Sequence, residues 1–203
     1  MNKREGLLFV VSAPSGAGKT TLCRAVMDSL EQVRHSISYT TRKPRPGELD
    51  GRDYYFIAEN RFREMVEAGD FAEWAEVHSN FYGTSRRVLD GMRGEGIDVI
   101  LDIETQGAKQ IRKKYGQAVF IFVMPPSLGV LEERLRNRRS DHEDEIRKRM
   151  TRARDEIRDY VLYDYVIVNR DFDRALFELR AVITAERSRT RLVDQAWIKE
   201  LLS

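Results

Sequence analysis

Ala13-Pro14-Ser15-Gly16-Ala17-Gly18-Lys19-Thr20 follows the apolar run Leu7-Leu8-Phe9-Val10-Val11 and precedes a stretch of helical character over residues 21–30. A chain that leaves a buried strand, turns through small residues and enters a helix at Lys-Thr makes a cradle for polyphosphate. Backbone N–H groups can wrap an anion only where side chains are small, a lysine must reach the outer phosphates, and a hydroxyl must stand where Mg²⁺ is held. Gly16, Gly18, Lys19 and Thr20 supply these parts. The first position of the G-x-x-x-x-G-K-[ST] pattern is Ala13, one methyl group away from the strict motif, while strand, loop and helix stand in the required order.

Three further apolar runs, over 97–103, 118–124 and 165–168, read as buried strands with helix-like stretches between them. Such alternation predicts an α/β fold with a parallel sheet flanked by helices and ligands at the carboxyl ends of the strands. Lys19 stands at one such end, and Asp102 and Glu104 at another. Over 36–90 the alternation gives way to Pro44, Pro46, Gly47 and Gly51, the run Tyr54-Tyr55-Phe56, a helix-like piece near 60–68 and a strand-like Phe71-Ala72-Glu73-Trp74-Ala75. This reads as an inserted lobe. The segment 131–158 is almost continuously charged, either a solvated helix face laced with i,i+4 pairs or an Arg-bearing flap, and composition alone favours the first. Beyond it, Ala175, Leu176, Leu179, Val182 and Ile183 keep a helical rhythm, with Arg187, Arg189 and Arg191 expected to face solvent.

With 203 residues, the chain is long enough for one well-buried core and an inserted lobe. The 35 Lys+Arg against 33 Asp+Glu leave a net charge of +2, and the arginine clusters alternate with acids without interleaved aromatics, which argues against a nucleic-acid surface. The N-terminal apolar run is too short for a signal-peptide core or a membrane span, so the expected location is cytoplasmic with no membrane contact. The single cysteine, Cys23, is expected to be a buried thiol. His35, His78 and His142 are scattered without ligand spacing and receive no catalytic or metal role.

A phosphate loop alone says only nucleotide, and the acceptor must be read in the lobe. Ser38-Tyr39-Thr40-Thr41-Arg42-Lys43-Pro44-Arg45-Pro46-Gly47-Glu48, followed by Gly51-Arg52-Asp53-Tyr54, sets Arg42, Arg45 and Tyr54 on a Pro-punctuated backbone suited to fork-like recognition of a phosphate monoester. Together with Glu73-Trp74, Tyr82-Gly83, Leu101-Asp102-Ile103, Gln106-Gly107 and Val166-Ile167-Val168-Asn169, these segments make the chain closely similar to the guanylate kinase family over nearly its whole length.

The resemblance implies a P-loop NTPase-type core (1–36, 94–128 and 159–203), a GMP-binding lobe (37–93) and a helical lid (129–158), with ATP and GMP giving ADP and GDP in the presence of Mg²⁺. It implies ATP binding by Ala13, Pro14, Ser15, Gly16, Ala17, Gly18, Lys19, Thr20, Thr21, Arg134, Arg138 and Asn169, with Asp171 near the adenine. Thr20 would help hold Mg²⁺ alongside phosphates and water. The GMP phosphate would fall to Arg42, Arg45, Tyr54 and Tyr82, and the guanine to Ser38, Glu73, Thr84 and Asp102. Lys19, Arg42, Arg138 and Arg149 would be catalytic, the lid arginines swinging onto the ATP phosphates, and dGMP is an expected second acceptor. Where the family usually has Gly-Arg-Gly in the lid, this chain has Asn137-Arg138-Arg139, and Arg138 is the favoured phosphate contact of the pair. Glu104 would orient Mg²⁺-bound water or Arg42, or simply favour the helix that follows.

The base assignment that the resemblance implies also makes chemical sense. Guanine presents N1–H and an exocyclic amine as adjacent donors that one carboxylate accepts together, with hydroxyls of Ser38 and Thr84 available to O6. Adenine presents a lone pair at N1 and would leave buried polar groups unmatched. Two rival readings are a phosphate-loop kinase acting on a ribose bisphosphate and a non-catalytic guanylate-kinase-like binding module. The guanine-reading set argues against the first, and the intact Gly16, Gly18, Lys19 and Thr20 against the second.

Overall fold

Every residue of Leu8–Ser12 (β1) is buried. A strand sends successive side chains to opposite faces, so Phe9 and Val11 enter one apolar layer while Leu8 and Val10 enter another. The computed structural model describes residues 4–77, 79–137 and 143–203. After β1 come Lys19–Ser29 (α1), Val33–His35 (β2), Tyr39–Thr40 (β3), Tyr55–Phe56 (β4), Glu59–Glu67 (α2), Phe71–Val77 (β5), Asn80–Ser85 (β6) and Arg86–Gly94 (α3). Asp98–Asp102 (β7), Thr105–Lys114 (α4), Val119–Met124 (β8), Leu128–Asn137 (α5), Glu143–Arg158 (α6), Tyr165–Val168 (β9), Phe172–Arg187 (α7) and Gln195–Leu201 (α8) complete the order.

The main sheet is parallel throughout, in the order β2-β7-β1-β8-β9. On one face α1 and α7 bring Leu22, Cys23, Val26, Leu179 and Ile183 against Phe9, Ile100 and Ile121. On the other α3 and α4 bring Leu89, Ala108 and Ile111 against Leu8, Leu101 and Phe120. Helices on both faces explain why these strands read as continuous apolar runs rather than alternating ones. Fully burying such side chains contributes about 1.5–3 kcal/mol each relative to exposure. The register pairs Val11 with both Asp102 and Ile121, so the central strand delivers the loop between the ends of its neighbours.

The inserted lobe has its own sheet, in the order β4-β3-β6-β5, and its own apolar centre of Phe62, Met65 and Phe71. Phe62 stacks on Phe71 at 4.6 Å and on Phe81 at 5.5 Å. The charged segment forms α5 and α6, which meet through Leu131, Leu135, Ile146, Met150 and Ala153. Their outer faces carry the pairs Arg136–Glu132, Arg147–Asp144 and Arg158–Asp155, so the solvated, pair-laced reading describes these helices. Arg138, Arg139 and His142 lie outside the described residues, as does His78. No helix among the described residues is long and apolar enough to cross a membrane.

One expectation is corrected. Arg187 is half-buried rather than turned to solvent: its Nε donates to Asp98 Oδ2 at 2.7 Å, at the start of β7. Asp98 is fully buried and also takes Arg4 through two bonds of 2.7 and 2.9 Å and the Leu7 N–H at 2.7 Å. Burial raises its pKa, but Arg4, the Leu7 N–H and Arg187 outweigh it and hold the carboxyl below its ordinary value. Removing one partner of a buried pair strands the other charge. Asp98→Ala is therefore expected to lower the unfolding free energy by about 3–5 kcal/mol, measured as a lower urea midpoint with an unchanged slope.

Candidate active site

After β1 the chain turns twice through the left-handed region, at Gly16 (φ 94°) and Gly18 (φ 91°), and enters α1 at Lys19. This aims the unpaired N–H groups of the first helical turn, the positive end of the helix dipole, into a cleft. The loop is braced from behind. Asn169, just after β9, donates from Nδ2 to the Ala17 carbonyl at 2.7 Å, and a Cβ on Gly18 would overlap that amide. Arg134 of α5 donates to the carbonyl of Asn169 at 3.1 Å and to that of Ala17 at 3.5 Å. A Cβ on Gly16 would press on Leu131 and Leu135 at 3.1 Å, so α5 packs directly on the loop.

Lys19 is ion-paired with Asp102 and donates to the Ile103 carbonyl at 3.1 Å. Burial pulls its pKa down, but the charges of Asp102 and Glu104 outweigh that and hold it above the ordinary lysine value. Asp102 answers in kind: burial pushes it up, Lys19 overcomes this, and a hydrogen bond from Thr20 helps keep it ionised. Glu156 of α6 lies within hydrogen-bonding reach of Glu104, and burial together with that neighbour holds its carboxyl well above the usual range.

Across the cleft, of about 270 Å³, the lobe presents Ser38, Arg42, Arg45, Tyr54, Glu73 and Tyr82. Arg42 is set by Glu48, which accepts its Nη2 at 2.8 Å and the Arg45 N–H at 2.7 Å. Its guanidinium stands 5.4 Å from the Tyr54 ring centre, and Tyr54 meets Tyr82 edge-on at 5.9 Å. Glu73 is 3% exposed and accepts the Thr84 hydroxyl at 2.6 Å. Burial, opposed by Thr84, pushes its carboxyl up to about 7.

The residues singled out in the sequence therefore fall into groups. Ala13, Pro14, Ser15, Gly16, Gly18, Lys19, Thr20, Thr21 and Asp102 line the cleft together with the lobe residues just named. Thr84 is buried behind Glu73, while Ala17, Asn169 and Arg134 meet one another at the loop's own backbone. Arg149 lies on α6 near Glu145, at 3.7 Å, and Asp171 caps α7 by accepting the Arg174 N–H at 2.9 Å. Sequence reading gave no role to Glu48, whose signal was the turn Arg45-Pro46-Gly47-Glu48 that brings it back to Arg42, with Gly47 at φ 87°. It quoted Gly107 without giving it a role, and any Cβ there would collide with the Glu73 carboxylate. Chemically, the cleft joins a polyphosphate cradle to a cationic, phenol-lined acceptor site ending in a buried carboxylate.

Residues 5–186 match the sequence profile of the guanylate kinase family. The chain is 56% identical over 188 residues to a guanylate kinase of Geobacter metallireducens, covering 93% of each protein. It is 47% identical over 204 residues to the guanylate kinase of Escherichia coli, covering 98% of this chain and 99% of that one. The crystal structure of guanylate kinase from Anaplasma phagocytophilum superposes with a TM-score of 0.79 at 34% identity, covering 95% of this chain and 92% of that one.

The loop geometry yields a stability test. Gly18→Ala should cost about 1–2 kcal/mol from backbone strain alone, plus the displacement of Asn169. Gly69→Ala is the comparison, with φ 69° and nothing within 4 Å of its added Cβ. In urea unfolding Gly18→Ala should be the more damaging of the two, the excess measuring the collision.

Proposed function

The chain belongs to the guanylate kinase family and transfers a phosphoryl group from ATP to GMP, giving ADP and GDP; on that premise we propose how its residues divide the work. The observation that carries the division is a single cleft with Lys19 and the glycine loop on one wall and the buried Glu73 on the other.

On the donor side, N–H groups of the loop and first helical turn, other than that of Ala17, which goes to the Pro14 carbonyl, join the Lys19 ammonium in holding the ATP phosphates. Arg134 and Asn169, already bonded to the loop, fix its shape on the side where the adenine lies. On the acceptor side, Arg42, Arg45, Tyr54 and Tyr82 hold the GMP phosphate. Glu48 and the Tyr54 ring keep Arg42 in one orientation, which lets a planar fork bind two oxygens without first being ordered. Phosphoryl transfer asks the protein for alignment and positive charge rather than a covalent intermediate. Arg42 and Lys19, reaching in from opposite walls, meet that demand at the transferred group, with lid residues Arg149 and Arg138 joining on closure and excluding water.

Glu73 accepts guanine N1–H and the exocyclic amine, with Asp102 beside the base. A hydroxyl has one proton to donate, and that of Thr84 goes to Glu73 in this arrangement, so Thr84 orients the carboxylate and Ser38 is the donor to O6. dGMP presents the same base and phosphate and is the second acceptor.

Mg²⁺ fits this donor set. Thr20, Asp102 and Glu104 bring hard oxygens to the cleft beside Lys19, while no cluster of three or more His, Cys, Asp or Glu suited to a metal occurs among the described residues. Thr20 would hold the ion together with nucleotide phosphates and water, as a cation that keeps most of its water shell requires. When bound it neutralises the charge of the transferring phosphates. The reaction serves guanine nucleotide recycling, in the cytoplasm.

Two outcomes follow. Lys19→Ala should abolish transfer while GMP affinity, read by calorimetry, stays within about twofold; a parallel loss of GMP binding would overturn the division of walls. Because the free Glu73 carboxyl titrates near 7 and guanine needs its ionised form, KM for GMP should rise as pH falls from 8 to 6. A phosphate monoester also titrates near pH 6, so the comparison is Glu73→Gln. That variant should bind GMP about 2–4 kcal/mol more weakly and show only the phosphate's pH dependence.

A further inference from the structure

Strand β5 carries Glu73, yet it is an outer strand of the lobe sheet, so the backbone groups facing away from β6 find no partner strand. Helix α4 of the core takes that side. The Gln110 side chain accepts the Trp74 N–H at 3.3 Å and donates to the Trp74 carbonyl at 2.6 Å. These are the two bonds that a neighbouring strand residue would exchange with Trp74. One turn later Lys114 donates to the carbonyls of Ala72 at 2.8 Å and Phe71 at 3.3 Å. One turn earlier Gly107 is bare, and a Cβ there would overlap Oε2 of Glu73. Positions 107, 110 and 114 share one face of a helix.

The main chain is thus pinned on both flanks of Glu73, at Ala72 and at Trp74, while the missing side chain at Gly107 leaves the carboxylate its place. The Lys114 ammonium also favours the ionised form of Glu73. A carboxylate that must accept two adjacent donors at once tolerates a displacement of only about 0.5 Å, and a free sheet edge does not hold a strand that tightly. We infer that Gln110, assisted by Lys114 and Gly107, is a specificity-determining positioning residue: it sets the depth at which Glu73 meets the base, and so the preference for a purine carrying the 2-amino group. The inference rests on Glu73 as the base reader.

The test compares GMP with IMP, which keeps N1–H and lacks the 2-amino group, at saturating ATP-Mg²⁺. Gln110→Met retains length and loses both bonds, Gly107→Ala pushes the carboxylate directly, and Glu73→Gln is the reference. Gln110→Met should raise KM for GMP about tenfold, the scale of one to two lost hydrogen bonds. KM for IMP should rise less than threefold, with kcat and KM for ATP unchanged, so the GMP to IMP ratio of kcat/KM falls. Gly107→Ala, if it folds, should lower the ratio at least as far. A merely structural role predicts instead a lower melting temperature with both substrates affected alike, and that result overturns the inference. If Glu73→Gln itself leaves the ratio unchanged, the base-reading assignment has failed. If Glu73→Gln lowers the ratio and Gln110→Met does not, the positioning role alone has failed.

Discussion

An ammonium and a carboxylate held side by side and largely out of water, Lys19 after the loop that leaves β1 and Asp102 at the carboxyl end of β7, are the constraint around which the cleft is arranged. Taking two charges out of water is costly, and the Lys19–Asp102 pair persists only because the Ile103 carbonyl and the Thr20 hydroxyl complete its bonding. The parallel register that sets Val11 beside Asp102 brings the two ends together. The glycines at 16 and 18 then let the backbone fold over Lys19 without side chains in the way. A cation held in this manner is already oriented and largely desolvated before any phosphate arrives, the condition under which electrostatic stabilisation costs least reorganisation.

Much of the architecture was legible because a parallel sheet covered on both faces writes itself as apolar runs. The segments 97–103 and 118–124 proved one residue too long at each N-terminal end, the first also at its C-terminal end; 165–168 has the bounds read for it, but as an edge strand it leaves Val166 and Val168 exposed rather than buried. The phosphate loop was legible for a different reason: few sequences put Gly, Gly, Lys and Thr between strand and helix. What escaped notice were polar side chains whose partners are far away in sequence. Arg187 looks solvated among Arg189 and Arg191, and only the fold shows that it reaches Asp98, 89 positions away. Gln110 and Lys114 sit on a helix whose polar residues resemble any exposed face. No local pattern announces that a free strand edge lies 36 positions upstream. Thr84 was placed at the base for its hydroxyl, which in the fold is turned to Glu73.

The apolar side chains form separate clusters, two on the sheet faces, one in the lobe and one between α5 and α6. The lobe and the α5–α6 pair therefore have centres of their own and meet the core through both polar contacts, such as those of Gln110 with Trp74 and Arg134 with Asn169, and apolar ones, such as Ala72 in the sheet-face cluster and Leu131 and Leu135 against the loop at Gly16. Polar contacts exchange with water at small net cost, whereas opening a packed cluster exposes apolar surface. Apolar burial is thus divided among several centres, and the stability of the main sheet does not rest on those of the lobe or of α5 and α6 alone.

The carboxylate of Asp98 has a different bearing, on how the chain is made. Its partners lie near the two ends of the sequence, Arg4 and Leu7 at the start and Arg187 at the close of α7. A nascent chain that has emerged only as far as β8 already carries the three central strands, β7, β1 and β8, but holds Asp98 with one guanidinium instead of two and lacks α7, one of the two helices that cover Phe9 and Ile121. Contacts of such long separation form late, after the entropy of closing the intervening loop has been met. Synthesis on the ribosome thus leaves one face of the sheet covered by α1 alone until α7 arrives. In the interval between translation of β8 and of α7, the apolar surface that α7 later covers lies open to other chains.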